Sequence, residues 1–200
     1  MKKSFILLAL AILLPLFAAA QYGRKPVSIV SHLSGGYGAF MGKSSATRID
    51  HWMGSVGAEA KIGWTNDYSL LIGLDYQFRY MNTGYTSHHG NSGWSSHNAI
   101  LRGHYLRVPV RLEYDHDWFY AAFGPYLEKG FGNMPDKDEL FGFGVDLELG
   151  GRLKLNRYDH LRIGLLTSAG RILVYEPSYS FSRSHGELNF MLRVGYEHRL

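Results

Sequence analysis

The chain has 200 residues, no cysteine, 24 glycines, 14 tyrosines and a formal net charge of +4. That length suits one domain, the lack of cysteine excludes a disulfide-stapled fold, and no basic run gives the footprint of a nucleic-acid binder. Beyond the first apolar stretch no segment is long enough for a membrane-spanning helix, so a helical membrane protein is excluded.

Residues 1–20 read as a secretory signal peptide. Lys2 and Lys3 form its basic start, Phe5 to Phe17 its apolar core, and Ala18-Ala19-Ala20 a small-residue cleavage site, with cleavage expected between Ala20 and Gln21. The mature domain is then 21–200, and losing Lys2 and Lys3 lowers the formal charge from +4 to +2. Such a charge says little about partners.

From there on, apolar residues recur at period two, the mark of strands with one apolar face. The pattern predicts eight segments, at 27–41, 55–65, 68–81, 101–114, 118–131, 141–155, 160–175 and 187–199. The third is the clearest. Tyr68, Leu70, Ile72, Leu74, Tyr76, Phe78 and Tyr80 share one face, while Ser69, Leu71, Gly73, Asp75, Gln77 and Arg79 share the other. Connections alternate in length: long at 42–54, 82–100, 132–140 and 176–186, short at 66–67, 115–117 and 156–159. This rhythm predicts an all-β, eight-stranded, antiparallel up-and-down transmembrane β-barrel. Both termini and the short turns would lie in the periplasm, and the long loops outside the cell.

The polar face is predicted to be the inside. It carries Glu59, Lys61, Asp75, Arg79, Lys154, Arg162, Arg193 and Glu197 together with many glycines, among them Gly124, Gly144 and Gly164. Glycine weakens an ordinary strand, but a narrow lumen needs small residues between long charged ones. The opposite face, with Val56, Ala58, Leu106, Val108, Val145, Leu147, Phe190 and Leu192, is free of charge and suits lipid. Aromatic girdles are expected from Tyr22, Trp64, Tyr68, Trp118, Phe119 and Tyr158 at the short-turn end. Tyr37, Tyr80, Phe131, Phe141 and Tyr175 would form the other girdle. A soluble periplasmic lipocalin-like barrel is the alternative that the alternation leaves open.

A luminal charge network is expected around Arg107, Arg111, Glu113, Glu128, Asp146, Glu148 and Arg152, from the fourth, fifth and sixth segments. The luminal charges are nearly balanced, seven acids against eight bases. Eight strands leave an interior that side chains can fill, so a plug is expected rather than a pore.

The stretch "HYLRVPVRLEYDHDWFYAAFGPYLEKGF" places a proline in each of two successive segments, Pro109 and Pro125. A closed barrel has no edge strand to receive them, so one shared ladder irregularity is expected, with the two prolines nearly opposite. With the turn centred near His116, Pro109 would face Phe123 to Pro125. Tyr105, Leu106 and Pro109, followed by Gly124, Pro125 and Tyr126, resemble the paired "YL-x-[IV]-P" and "GPY" strands of the PorT-like outer-membrane β-barrel family of Bacteroidetes. The resemblance implies a small outer-membrane barrel, in a family generally without an assigned activity. One member assists protein secretion and gliding, a role these residues do not carry over. The final Leu200 departs from the aromatic ending of many such barrels.

An enzyme of the lipid A deacylase type is the alternative from a different class, and it needs serine, histidine and a carboxylate together at the wall. His104 is the best wall histidine, with expected neighbours Phe78, Tyr80, Leu127 and Lys129 and no serine or acid among them. His32 and Ser34 share a face, but it is the luminal one. No catalytic residue is therefore expected, and no cofactor. His51, His88, His89, His97 and His185 fall in predicted loops or their margins at irregular spacing, which suits polar filler better than a metal site. Tyr85 and Trp94 lie in a Gly-, Ser- and Asn-rich loop of the kind that also serves binding. The expected partners are outer-membrane lipid, lipopolysaccharide included, and a protein of unknown identity, around a monomeric barrel.

Overall fold

The computed structural model describes residues 26–41, 48–88, 94–131, 140–174 and 183–200. They form eight strands: β1 (Val27–Met41), β2 (Arg48–Gly63), β3 (Tyr68–His88), β4 (Trp94–His116), β5 (Phe119–Phe131), β6 (Leu140–Lys154), β7 (Asp159–Val174) and β8 (Arg183–Arg199). Each pairs antiparallel with the next, and β8 returns to β1 from Arg199↔Ser28 to Gly186↔Met41, closing the barrel.

The period-two pattern fixes which side chains point where. Leu33, Phe123 and Leu192 face outward at 65%, 57% and 58% exposure, while Arg79, Arg111 and Glu113 face inward at 1% or less. The apolar residues form the exposed belt and the charged residues the core. A water-soluble lipocalin-like barrel needs the reverse arrangement, so that alternative does not fit the faces. Trp64, Tyr68, Trp118 and Tyr158 are exposed at the turn end, with Tyr80, Phe131 and Phe141 toward the other. Tyr37 packs edge-on against Trp52 at 5.5 Å. Tyr22 and Tyr175 lie outside the described residues, as do the signal segment 1–20 and the Ala20–Gln21 junction.

Four strands are longer than their sequence pattern, β8 by beginning at Arg183 rather than residue 187 and the others by more. β2 begins at Arg48 rather than residue 55, β3 runs on to His88, and β4 starts at Trp94. Most of the two stretches expected as long loops, 42–54 and 82–100, is therefore strand. Their glycine, serine, asparagine and histidine give no apolar alternation, yet the backbone ladder continues from Asn82↔Ile100 to His88↔Trp94. Pairing of β3 with β2 stops at Met81, and pairing of β4 with β5 stops at His104. Residues 82–88 and 94–100 thus pair only with each other, a two-stranded ribbon rising from the barrel end opposite the termini.

At the terminal end the connections are short. Residues 64–67 close with Trp64 N–H donating to Tyr68 O at 2.7 Å. In 155–158 the Asn156 side-chain oxygen accepts from the Tyr158 and Asp159 backbone N–H groups at 2.7 and 2.9 Å. The β4–β5 turn has Asp117 at φ 49°, a left-handed conformation that Asp tolerates better than most residues.

The prolines interrupt two ladders, not one. Between β4 and β5 the register holds on both sides of a gap: Pro109↔Tyr126 and Leu112↔Phe123 pair in step, with Val110–Arg111 and Gly124–Pro125 unpaired between them. Between β3 and β4 pairing stops at Ile72↔Val110 and resumes at Asp75↔Arg107, leaving out Pro109. Successive residues of a strand turn their N–H groups to alternate neighbours. Pro109 therefore removes a bond to β3 and Pro125 one to β4, and no bulge is needed. Pro109 is buried in the lumen and Pro125 exposed on the wall. Gly124 sits in the gap because a Cβ there would strike Val110 O and Arg111 Cα of β4.

Candidate functional site: the ion-paired interior

Alternation brings one inward side chain from every second position of eight strands into one narrow space. Among the described residues, eight carboxylates and six Lys or Arg side chains are buried. Two surplus acids coincide with two buried imidazoles: His32 Nε2 lies 3.0 Å from Asp75 and His51 Nε2 3.4 Å from Glu187.

The charges stack in three tiers. Nearest the termini, Lys61 meets Glu113 at 2.7 Å, Asp115 at 2.5 Å and Glu197 at 3.3 Å, while Arg162 joins Glu113 and Glu197 from the far wall. In the middle tier Arg111 donates to both oxygens of Glu59, at 2.5 and 2.6 Å, and to Glu148 at 2.5 Å. Arg193 bridges the same two glutamates at 3.2 Å each and reaches Asp75 at 3.3 Å. Toward the opposite end, Arg107 pairs with Asp146 and donates to Ser168 at 3.1 Å. Arg79 holds Glu128 at 2.7 Å and Glu187 at 3.2 Å.

Three tyrosines support three of these guanidiniums face-on. Arg162 lies 3.9 Å over the Tyr120 ring, Arg107 3.6 Å over Tyr126 and Arg79 3.9 Å over Tyr105. Cation–π contact strengthens in a desolvated interior. The luminal glycines make room for this stack: a Cβ on Gly150 or Gly164 would strike the Tyr120 hydroxyl, and one on Gly144 or Gly170 the Tyr126 hydroxyl.

Six of the seven charged residues singled out in the sequence are buried in this lattice, with two of their pairs inside the expected β4–β6 set and the rest reaching beyond it. Arg107–Asp146 and Arg111–Glu148 reach from β4 to β6 past β5. Glu113 takes Lys61 and Arg162, Glu128 takes Arg79, and Glu148 also takes Arg193, so β2, β3, β7 and β8 complete the set. Arg152 joins the lattice only at its rim, through Asp115. Its side chain is 18% exposed at the terminal end, pairs with Asp115 at 3.3 Å and donates to Asp117 O at 3.3 Å. Lys154, also expected in the lumen, is exposed where β6 ends. Glu187 and Asn189, outside the expected luminal set, are buried and continue the inward parity of Arg193 and Glu197. His51, expected at a loop margin, is a buried β2 residue.

The lattice contains one metal-like constellation. His32, Glu59 and Asp75 place ligand atoms within 4.8 Å of one another. Both Arg193 nitrogens already sit on Glu59 and Asp75, so a cation would have to displace a guanidinium with the same charge role. On the wall, Tyr76 Oη lies 2.6 Å from His104 Nδ1, and Phe131 rather than Leu127 or Lys129 stands opposite His104. His198 Nδ1 meets Asp159 at 2.7 Å. Among the described residues no serine hydroxyl is hydrogen-bonded to either wall histidine. The side chains of His88, His97 and His185, and all of His89, lie outside the described residues.

No protein-family model and no curated protein matches the chain. Among solved structures it is similar to the outer membrane protein AlkL determined in DMPC bilayers, with TM-score 0.52 and 10% identity over 88% of this chain and 90% of AlkL. It also matches Ail, the attachment invasion locus protein of Yersinia pestis, with TM-score 0.34 and 11% identity over 88% of this chain and 99% of Ail. The outer membrane protease OmpT of Escherichia coli matches with TM-score 0.38 and 8% identity over 90% and 98%. The fold is the closed eight-stranded antiparallel barrel of outer-membrane proteins.

Proposed function

We propose that the chain is an exported outer-membrane barrel with a sealed lumen, acting as a structural or interaction protein through its outer end rather than as a pore or an enzyme. The observation that carries this reading is the interior itself. Side chains of both signs fill it in paired tiers, and an ion path would instead be lined by one sign or left open. The apolar belt supports residence in lipid, and the signal-like segment 1–20 supports export with both termini in the periplasm. The β3–β4 ribbon then stands outside the cell, offering backbone edges of the kind partner strands add to. Membership of the PorT-like family belongs to the same proposal, on the strength of the Tyr105–Pro109 and Gly124–Tyr126 strands.

Two measurements test it. Heat-modifiable migration and membrane fractionation should place the mature chain, beginning at Gln21, in the outer membrane. In planar bilayers the wild type should show no stable open level. Recovery as a detergent-free soluble monomer, or a large steady conductance, refutes the reading. Cross-linking of the intact barrel in cells, followed by pull-down, would identify the partner.

A further inference from the structure

We propose that the outer wall of β3–β5 binds the phosphorylated headgroup of an outer-leaflet lipid, through Arg102, His104 and Lys129. The inference rests on the outer-membrane reading and names a lipid partner within it.

From β1 to β8 the middle of the outward wall is uncharged, as lipid requires. Arg102, Lys129 and Arg171 break the pattern, all exposed; Arg171 stands alone on β7, whereas Arg102 and Lys129 lie on neighbouring strands with half-buried His104 between them. Their height follows from the register. Tyr68 stands at the terminal end of β3, and Arg102 is opposite Tyr80, ~30 Å further along the axis at ~3.3 Å per residue and ~40° tilt. His104 is opposite Phe78 and Phe131, one outward position lower, and Lys129 is opposite Leu106, one lower again. Lysine's long stem lets its ammonium rise to the level of the others. All three therefore address the interface far from the termini, where the penalty for a cation on the wall nearly vanishes.

Two further observations point to an anion. Tyr76 Oη lies 2.6 Å from His104 Nδ1, and a hydroxyl donating there leaves the neutral ring's proton on Nε2 as a further donor on the wall. Aromatic rings flank the cations, with Tyr80, Phe78 and Phe131 exposed beside them. A guanidinium, an ammonium and an imidazole N–H at one interface, framed by acyl-chain-compatible rings, match a phosphate that is itself anchored in the bilayer.

The test uses the full mature barrel in nanodiscs of phosphatidylethanolamine doped with lipid A, either phosphorylated or enzymatically dephosphorylated. Native mass spectrometry counts the lipid A retained after the scaffold is stripped. The wild type should retain phosphorylated lipid A at least tenfold better than the dephosphorylated form. Arg102→Ala with Lys129→Ala should abolish that preference, and Arg102→Lys with Lys129→Arg should keep it. Lys154→Ser, which removes one cation at the terminal end, should leave it unchanged. Equal retention of the two lipids by the wild type, or full preference in the double alanine variant, overturns the proposal. Heat-modifiability of each variant is read in parallel, so a barrel that inserts normally but ignores phosphate refutes this site without touching the membrane assignment.

Discussion

Arg111→Met is the most informative single change in the interior. It keeps a long apolar stem and removes a guanidinium that is 1% exposed and holds Glu59 and Glu148 at 2.5–2.6 Å. What remains is one cation, Arg193, facing Glu59, Glu148 and Asp75 at 3.2–3.3 Å, plus the Tyr120 hydroxyl donating to Glu148 at 2.7 Å. Removing one partner of a buried pair leaves an uncompensated charge and costs about 3–5 kcal/mol. At about 1.4 kcal/mol per decade, that is roughly two to four decades in the folding equilibrium. Reversible urea unfolding in lipid vesicles, followed by tryptophan fluorescence, measures it. The companion variant Arg111→Met with Glu59→Gln removes cation and anion together, and should lose less than the single change. A loss under about 1 kcal/mol for Arg111→Met, or strict additivity in the pair, would refute the claim that these charges stabilise one another.

Other changes probe the wall and the ladders. Leu74→Arg places a cation midway along the outward face of β3, where Leu74 is 43% exposed, and should cost about 2–4 kcal/mol in the same unfolding assay, with no such loss if the belt faces water. Gly124→Ala drives a methyl into Val110 O and Arg111 Cα, so a destabilisation of about 1–3 kcal/mol or failure to fold is expected, seen as loss of heat-modifiable migration. Pro109→Ala restores an N–H toward β3 at a position already free of ladder bonds, and its unfolding midpoint should stay within about 1 kcal/mol of the wild type. Tyr126→Leu removes the ring under Arg107 and should cost about 1–3 kcal/mol, with the β5–β6 ladder intact by amide exchange.

How much of this was legible in the sequence follows from the range of each signal. Inside and outside could be read residue by residue, because period two in Tyr68–Tyr80 or Leu188–Tyr196 is local and the lipid face tolerates no charge. The ribbon could not, since residues 82–88 and 94–100 are held by backbone bonds that any side chain permits. The β4–β5 register was also misjudged: the turn centres on Asp117–Trp118, and Pro109 meets Tyr126 rather than Phe123 to Pro125. Which acid meets which base was out of reach altogether. Arg111 finds Glu59 and Glu148 because the strand tilt lays β2, β4 and β6 at one level, a property of the closed sheet that no segment carries alone. Glu187 was within reach, as the parity of Asn189, Met191 and Arg193 runs straight back to it.

The middle tier of charges also bears on how the barrel is made. Arg193 lies 134 residues from Glu59 and 118 from Asp75 along the chain, and Arg111 52 from Glu59. None of these contacts forms within a hairpin, and those of Arg193 with Glu59 and Asp75 exist only once β8 has found β1. Before that seam closes, the inward side chains of an open, curling sheet still hold their water, and long-range contacts of this kind reward the chain late. Interactions absent from the folding transition state act mainly on the rate of unfolding. The lattice is therefore a latch more than a guide: weakening it should shorten the lifetime of the assembled barrel far more than it slows assembly.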